Sequence, residues 1–498
     1  MKQFLFILLL ATSFVISNAQ TLVTGNCRQS YKSMLELNFE KAAFFIEKEK
    51  NENPDNVYIY YLESYIDFLK VFISEDETLF DHSESKKDIA IEKIGRLPET
   101  SPYRNYLIAN INLQWAFARI KFGEYFAASI EINRAYRLIE KNMESFPGFY
   151  PNKISHAVLK IIVGLVPEKY TWVLDLISMQ GSVEDGTAEL YEVLGKTETD
   201  STYSYLNGEC LFYLGFVELN INPDKTNSLR LLDRLLPLSD SSLLFNYMCI
   251  NILTKSGKSA QAEVQFRKLD EPSSFYPFYF LDYLRADYYL KKLETDSAKK
   301  YYVRFLKNFN GKNYIKDAWR KTAWAFLMEG KPDEYLQLMS AVGNSGYADI
   351  GIDKDAQLEY DKGNVPNPSL IKARLLFDGF FYVLADSVLN AVNSDQLDFE
   401  QLMEKDYRHG RIKHESMDYE NAKKYYKRVI AGTDLTTEYF PANSALKLAE
   451  IYELQDSLTL SHLYYKKCLE MNFDQFENSI KSKAREGVRR VDRKEQNK

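Results

Sequence analysis

Small residues recur in pairs twelve positions apart: Ala116 with Ala128, Ala286 with Ala298, Ala373 with Ala385 and Gly410 with Ala422. Ile250 with Ala262 and Ala449 with Ser461 keep the same frame more loosely. Aromatic and branched side chains surround each pair at helical spacing. "YENAKKYYKRVI" puts Tyr419, Ala422, Tyr426 and Val429 on one face, and "LRADYYLKKLETDSAKKYYVRFL" sets Ala286 and Tyr289 before a turn, then Ala298, Tyr302 and Phe305 after it. Two antiparallel helices need small side chains where their axes approach most closely and large ones to fill the groove alongside. The pattern therefore specifies helical hairpins stacked in series. No segment alternates with period two between hairpin turns, so the predicted fold class is all-α.

The pattern resembles the tetratricopeptide repeat, whose period is ~34 residues. Here Ala286, Ala323, Ala373, Gly410 and Ala449 follow at intervals of 37, 50, 37 and 39. The excess is assigned to lengthened loops, notably residues 343–368. Near the N-terminus, "NFEKAAFFIEKEKNENPDN" reads as a second repeat helix closed by Asn53-Pro54. The 36 tyrosines and 31 phenylalanines are expected to be filler between helices.

One stretch, residues 152–194, breaks the rhythm. Ile154, Val158, Ile161, Ile162 and Leu165 cover a wide face of one helix, and Trp172, Leu174, Leu176 and Ile177 supply the next. Pro167 splits the two, and Gly181 to Gly186 reads as a turn. So apolar an element is expected to be a buried hairpin joining two repeat blocks, with a membrane-inserting hairpin as the alternative. Gly164-Leu165-Val166-Pro167, Gly181, Gly186, Leu190 and Leu194 together resemble a segment of the tetratricopeptide-repeat domain 39 family, which includes the yeast inclusion-body-clearance protein of the mitochondrial outer membrane. "ARLLFDGFFYVLADSVL", Ala373 to Leu389, resembles a later helix pair of that family. The likeness covers roughly residues 25 to 490. It departs at Ser182-Val183, where the family has a polar pair, and at Phe380, where it has glycine. It implies the fold and transfers no catalytic residue.

The chain begins MKQFLFILLLATSFVISNAQ: one lysine, an apolar run from Phe4 to Ile16, then small residues ending at Ala19. This is the layout of a secretory signal peptide. Export to the periplasm or outer-membrane periphery, or secretion, is expected. The expected domains are 1–19 as signal peptide, 20–200 as an N-terminal repeat block containing the 152–194 insert, and 201–498 as a C-terminal array. A net charge of −7 argues against a broad nucleic-acid surface, because phosphate contacts need clustered Lys and Arg. Lys481 to Arg493 is the one cationic run, expected to be a solvated last helix. Four cysteines are too few to form a disulfide scaffold. Cys210 and Cys249 are left either bonded or free.

No chemical motif emerges. His409 and His414, five apart, do not share a helix face as metal ligands would, and surface positions are expected for the histidines. HExxH, phosphate-cradling and GxSxG patterns are lacking. No catalysis, cofactor or metal is expected. The first helix of each hairpin lines the concave side of such arrays, where peptides bind. Positions three before, one after and four after the small residue give the candidate partner-binding set: Tyr283, Asp287, Arg320, Trp324, Arg374, Phe377, Tyr407, Arg411 and His414. The expected function is a scaffold for a protein or peptide partner. Binding of an apolar ligand or membrane surface through 154–177, with peripheral lipid contact, is the alternative.

Overall fold

The computed structural model describes residues 22–165, 179–221, 224–270 and 274–496. The expected signal peptide, Pro167 and the insert's second apolar run lie outside them. Among the described residues there are twenty-four α-helices and no strand. They are α1 Gly25–Leu35, α2 Phe39–Glu52, α3 Tyr58–Ser74, α4 Glu77–Ile94, α5 Pro102–Lys121, α6 Tyr125–Ser145, α7 Pro151–Leu165, α8 Val183–Thr199, α9 Asn207–Phe216, α10 Lys225–Ser239, α11 Leu243–Lys255 and α12 Ser259–Lys268. Then follow α13 Phe280–Lys291, α14 Thr295–Asn308, α15 Ile315–Met328, α16 Pro332–Asn344, α17 Gly351–Lys362, α18 Pro368–Asp378, α19 Tyr382–Asn390, α20 Phe399–Glu415, α21 Tyr419–Ala431, α22 Phe440–Leu454, α23 Leu458–Glu470 and α24 Glu477–Gln496.

Two compact units share the chain. One comprises residues up to Ser256 together with Arg267–Pro277; the other comprises Gly257–Phe266 and Phe278–Lys498. The change of unit thus falls beyond the 200/201 division expected from sequence. Within the first unit α1/α2, α3/α4, α5/α6 and α7/α8 pack as hairpins; within the second, α13/α14, α15/α16, α18/α19, α20/α21 and α22/α23 do.

The helix starts are legible in the side chains. Thr24, Asn38, Asp76, Ser182, Asn367 and Asp398 each accept a hydrogen bond from a backbone N–H in the first turn that follows. Proline opens α5, α16, α18 and α22, where its missing donor costs nothing.

The small-residue pairs sit where the pattern places them. Ala116, Ala286, Ala298, Ala373, Ala385, Ala422 and Ala449 are fully buried. A Cβ on Gly410 would stand 2.7 Å from Cε1 of Tyr426 on the partner helix. Two further crossings carry a hydroxyl that bonds across the hairpin: Ser30 Oγ donates to the Ala42 carbonyl, and Ser461 Oγ to that of Ala449, both at 3.0 Å.

The turn after eight of the first helices follows a rule that the sequence conceals. The residue seven beyond the small position adopts a left-handed backbone. It is glycine at Gly123, Gly257 and Gly330, but Leu37, Leu293, Phe380, Met417 and Asp456 elsewhere, all with φ between 54° and 67°. Non-glycine residues pay a steric penalty there. Met417 is 74 % exposed, so its side chain offers little packing in return.

The insert corrects one expectation. Gly186 belongs to α8 rather than to a turn, and a Cβ there would meet the Ala157 carbonyl oxygen at 2.5 Å and Ile161 Cγ1 at 2.6 Å. Glycine lets α7 and α8 close backbone to backbone. Ile154, Val158 and Ile161 are buried, as are Leu190 and Leu194, whereas Ile162 is partly exposed and Leu165 is 50 % exposed, so the expected apolar face is buried only in part. Among the described residues no helix is long and apolar enough to cross a membrane. Cys210 and Cys249 are buried and free, as are Cys27 and Cys468.

The interval of 50 residues is explained by a helix, not a loop. Residues 351–362 form α17, which packs on α15 and α16 outside the hairpin series. Asp353 fixes its place: Oδ2 accepts from the Tyr314 amide at 2.6 Å and Oδ1 from the Asp317 amide at 3.0 Å, so α17 caps α15 from outside. Burial holds the Asp353 carboxyl up at about 6 although both amides pull it down.

At the C-terminal end, Glu453 of α22 ties down α24. It accepts hydrogen bonds from Arg490 Nη2 at 3.1 Å, Lys494 Nζ at 2.8 Å and Tyr465 Oη at 2.8 Å. Burial pushes its pKa up, but these donors outweigh that and bring it to about 2.

Replacing Gly186 by Val forces α7 and α8 apart and is expected to cost about 1–3 kcal/mol, measured by urea unfolding. Met417→Gly is expected to gain about 0.5–1 kcal/mol, the left-handed penalty less the entropy of a new glycine. The Glu453 contribution is complete above its unfolded pKa near 4.5 and is lost as pH falls toward about 2. Glu453→Gln should therefore flatten the fall of the melting temperature with acid across that window.

Candidate functional site

Adjacent first helices of the second unit lie side by side: α13 against α15, α15 against α18, α18 against α20 and α20 against α22. Their facing residues build a ladder of charges and rings. On α13, Asp287 accepts from Lys291 Nζ and from Lys321 Nζ of α15, both at 2.6 Å. Lys321 also donates to Tyr283 Oη at 3.1 Å and pairs with Asp317 at 3.0 Å, while Tyr283 Oη donates to Asp317 Oδ2 at 2.5 Å. Arg320 pairs with the same Asp317 and with Glu359 of α17.

The ladder continues through aromatic faces. The Arg320 guanidinium stands 4.8 Å from the Trp324 ring centre, and that of Arg374 on α18 stands 5.2 Å from the same ring. Cations over an indole face are held by its quadrupole. Trp324 Nε1 donates to Glu359 Oε1 at 2.7 Å, and Tyr335 Oη to the same oxygen at 3.0 Å. Arg411 on α20 lies 4.5 Å over Phe377 and donates to Tyr407 Oη at 3.0 Å, which also accepts from Asn443 of α22 at 2.7 Å.

The nine sequence-selected residues are thus brought to one series of helices, but not all to its surface. Tyr283, Arg320, Trp324 and Tyr407 are buried, against the expectation of exposure. Neighbouring first helices cover the position three before each small residue, so that position is filler. Trp324, one after, is covered too, held by its bond to Glu359. Asp287, Arg374, Phe377, Arg411 and His414 are partly buried. His409 is buried rather than a surface residue, its Nδ1 3.2 Å from Asp386 and its ring stacked on Tyr425. His414 Nδ1 lies 3.4 Å from Tyr426 Oη. Burial lowers the pKa of both histidines.

Asp317, Lys321 and Glu359 were missed. Asp317 and Lys321 share a helix face four residues apart, which is a signal any solvated helix also gives. Burial raises the Asp317 pKa, and Lys321 and Arg320 more than reverse it, so it lies below the usual carboxylate range. The same holds for Asp287 beside Lys291 and Lys321.

Beside the ladder, α15, α17, α18, α20 and the start of α22 enclose a pocket of about 170 Å³. Arg320, Trp324 and Arg374 line it, together with Asp355 and Glu359 of α17 and with Tyr439 and Phe476. Phe476 is 41 % exposed with a left-handed backbone, and its ring meets that of Tyr439 edge-on at 5.0 Å. Among the described residues no cluster of His, Cys, Asp and Glu has the arrangement to hold a metal ion.

These features define a class: an all-α protein of stacked helical hairpins, with the architecture of tetratricopeptide-like solenoids. No protein-family profile matches the chain, and no curated protein does. Solved structures that it resembles include human IFIT1 as a dimer with PPP-AAAA, at 13 % identity over 93 % of this chain and 94 % of that one, with a TM-score of 0.33. Yeast Tom70 aligns at 13 % identity over 90 % and 91 %, TM-score 0.32, and the Cut9–Hcn1 hetero-tetramer of APC/C at 13 % over 95 % and 90 %, TM-score 0.28.

Asp317→Ala leaves Lys321 with the Asp287 carboxylate alone and Arg320 with the longer Glu359 contact, and is expected to cost about 1–3 kcal/mol in denaturant unfolding. Arg374→Ala, on the pocket side, should change stability by about 1 kcal/mol or less.

Proposed function

We propose that this protein is a non-catalytic scaffold that binds a protein or peptide partner along the first-helix face of its second unit. The observation that carries the reading is the ladder itself, whose Arg374, Phe377 and Arg411 are partly exposed, Arg374 also lining the pocket. Rigid, pre-paired charges and rings hold a partner at little entropic cost, and arginine and aromatic side chains contribute disproportionately to binding energy. Export through the N-terminal apolar segment belongs to the same proposal, since Phe4 to Ile16 has signal-peptide form. A kinship with the tetratricopeptide-repeat domain 39 family belongs to the proposal too and rests on the sequence likeness at Gly164 to Pro167, Gly181, Gly186, Leu190 and Leu194.

The test is affinity capture from the native envelope extract with the mature protein and with the Arg374→Ala/Arg411→Ala double variant. A specific partner recovered at least about tenfold less by the variant, a loss of ~1.4 kcal/mol, is the expected result. Equal recovery removes this face from the interaction.

A further inference from the structure

The charged groups of the pocket do not cancel in pairs. Lys362 pairs with Glu438, Arg408 with Glu404, and Arg320 with Asp317 and Glu359. Asp398 caps α20 by accepting from the Gln401 amide at 2.8 Å, and Glu400 accepts from Thr436 Oγ1 at 3.5 Å. Two groups of opposite sign remain. The Arg374 guanidinium donates no hydrogen bond among the described residues; Asp378 stands 3.9 Å away, and Glu359 and Glu404 act on it from farther off. The Asp355 carboxylate accepts no hydrogen bond and makes no close ion pair among them, although the charges of Arg320 and Arg374 reach it at longer range. Tyr439, which also lines the pocket, has no hydrogen bond through its Oη among the described residues.

The Arg374 side chain is 33 % exposed and Asp355 is partly exposed, so each charge faces solvent and attracts the other only from beyond hydrogen-bond distance. A ligand carrying one charge of each sign satisfies both at once, whereas a simple anion or cation leaves one unpaired. Size narrows the class. A cavity of about 170 Å³ is below the ~300–1,000 Å³ typical of larger ligands, and it suits a molecule of amino-acid dimensions. The Trp324, Tyr439 and Phe476 rings supply an apolar flank.

We propose that this pocket is a binding site for a small zwitterion, an α-amino acid or close analogue, whose carboxylate accepts from Arg374 and whose ammonium donates to Asp355. The site goes beyond the scaffold reading and does not depend on it.

Calorimetric titration of the full chain with free amino acids, and with the N-acetyl and methyl-ester derivatives of each binder, tests the assignment. At least one free amino acid should bind, and removing either charge should weaken it about tenfold or more. Arg374→Ala and Asp355→Asn should each cause a similar loss while retaining the wild-type melting temperature. If either variant does not fold, the derivative series on the unaltered protein decides alone. A dipeptide binding better than its constituent amino acids would assign the site to a peptide terminus and overturn the small-molecule form. Absence of binding by all amino acids at about 10 mM, or equal binding of the blocked derivatives, sinks the proposal outright.

Discussion

Close backbone contact at the crossing of two antiparallel helices is the constraint on which the remainder of this structure rests. Alanine, glycine or serine at that point lets the hairpin shut, and every larger side chain is then arranged around it. The aromatic residues do not choose the fold; they fill what the crossing leaves. Where the crossing is tightest, as at Gly186 against the Ala157 carbonyl, even one added carbon has nowhere to go.

This explains what could be read from the chain directly. A small residue at a crossing is a local demand with a fixed offset, so Ala286 and Ala298, or Gly410 and Ala422, declare a hairpin without reference to anything distant. The cap residues Asn367 and Asp398 do the same for helix starts. The left-handed turn escapes because five of the eight residues that adopt it are not glycine. There tertiary packing overrides local preference, and a leucine or methionine gives no hint of its backbone.

The candidate site was half legible for a similar reason. Offset from the crossing picks positions on neighbouring first helices, and Arg320, Trp324, Arg374 and Arg411 fall among the contacts of one ladder. It could not distinguish a side chain looking outward from one covered by the next hairpin, since that depends on how closely successive first helices pack. Asp317 and Lys321 illustrate the limit: spaced like any solvated ion pair, they are instead the buried centre of the network, with Asp317 wholly inaccessible. Paired burial of this kind adds little net stability but penalises any register in which the partners part.

The pocket owes its existence to α17, twelve residues that belong to no hairpin. A strictly periodic stack offers only shallow furrows between equivalent neighbours, because each module repeats the outline of the last. One unmatched helix, pinned by the carboxylate of Asp353, breaks that translational sameness and gives the second unit a corner with walls on several sides. Recognition and architecture are thereby separable in this molecule. Evolution or an engineer can rewrite the short supernumerary segment, and with it what the corner accepts, while the modules that bear the load stay as they are.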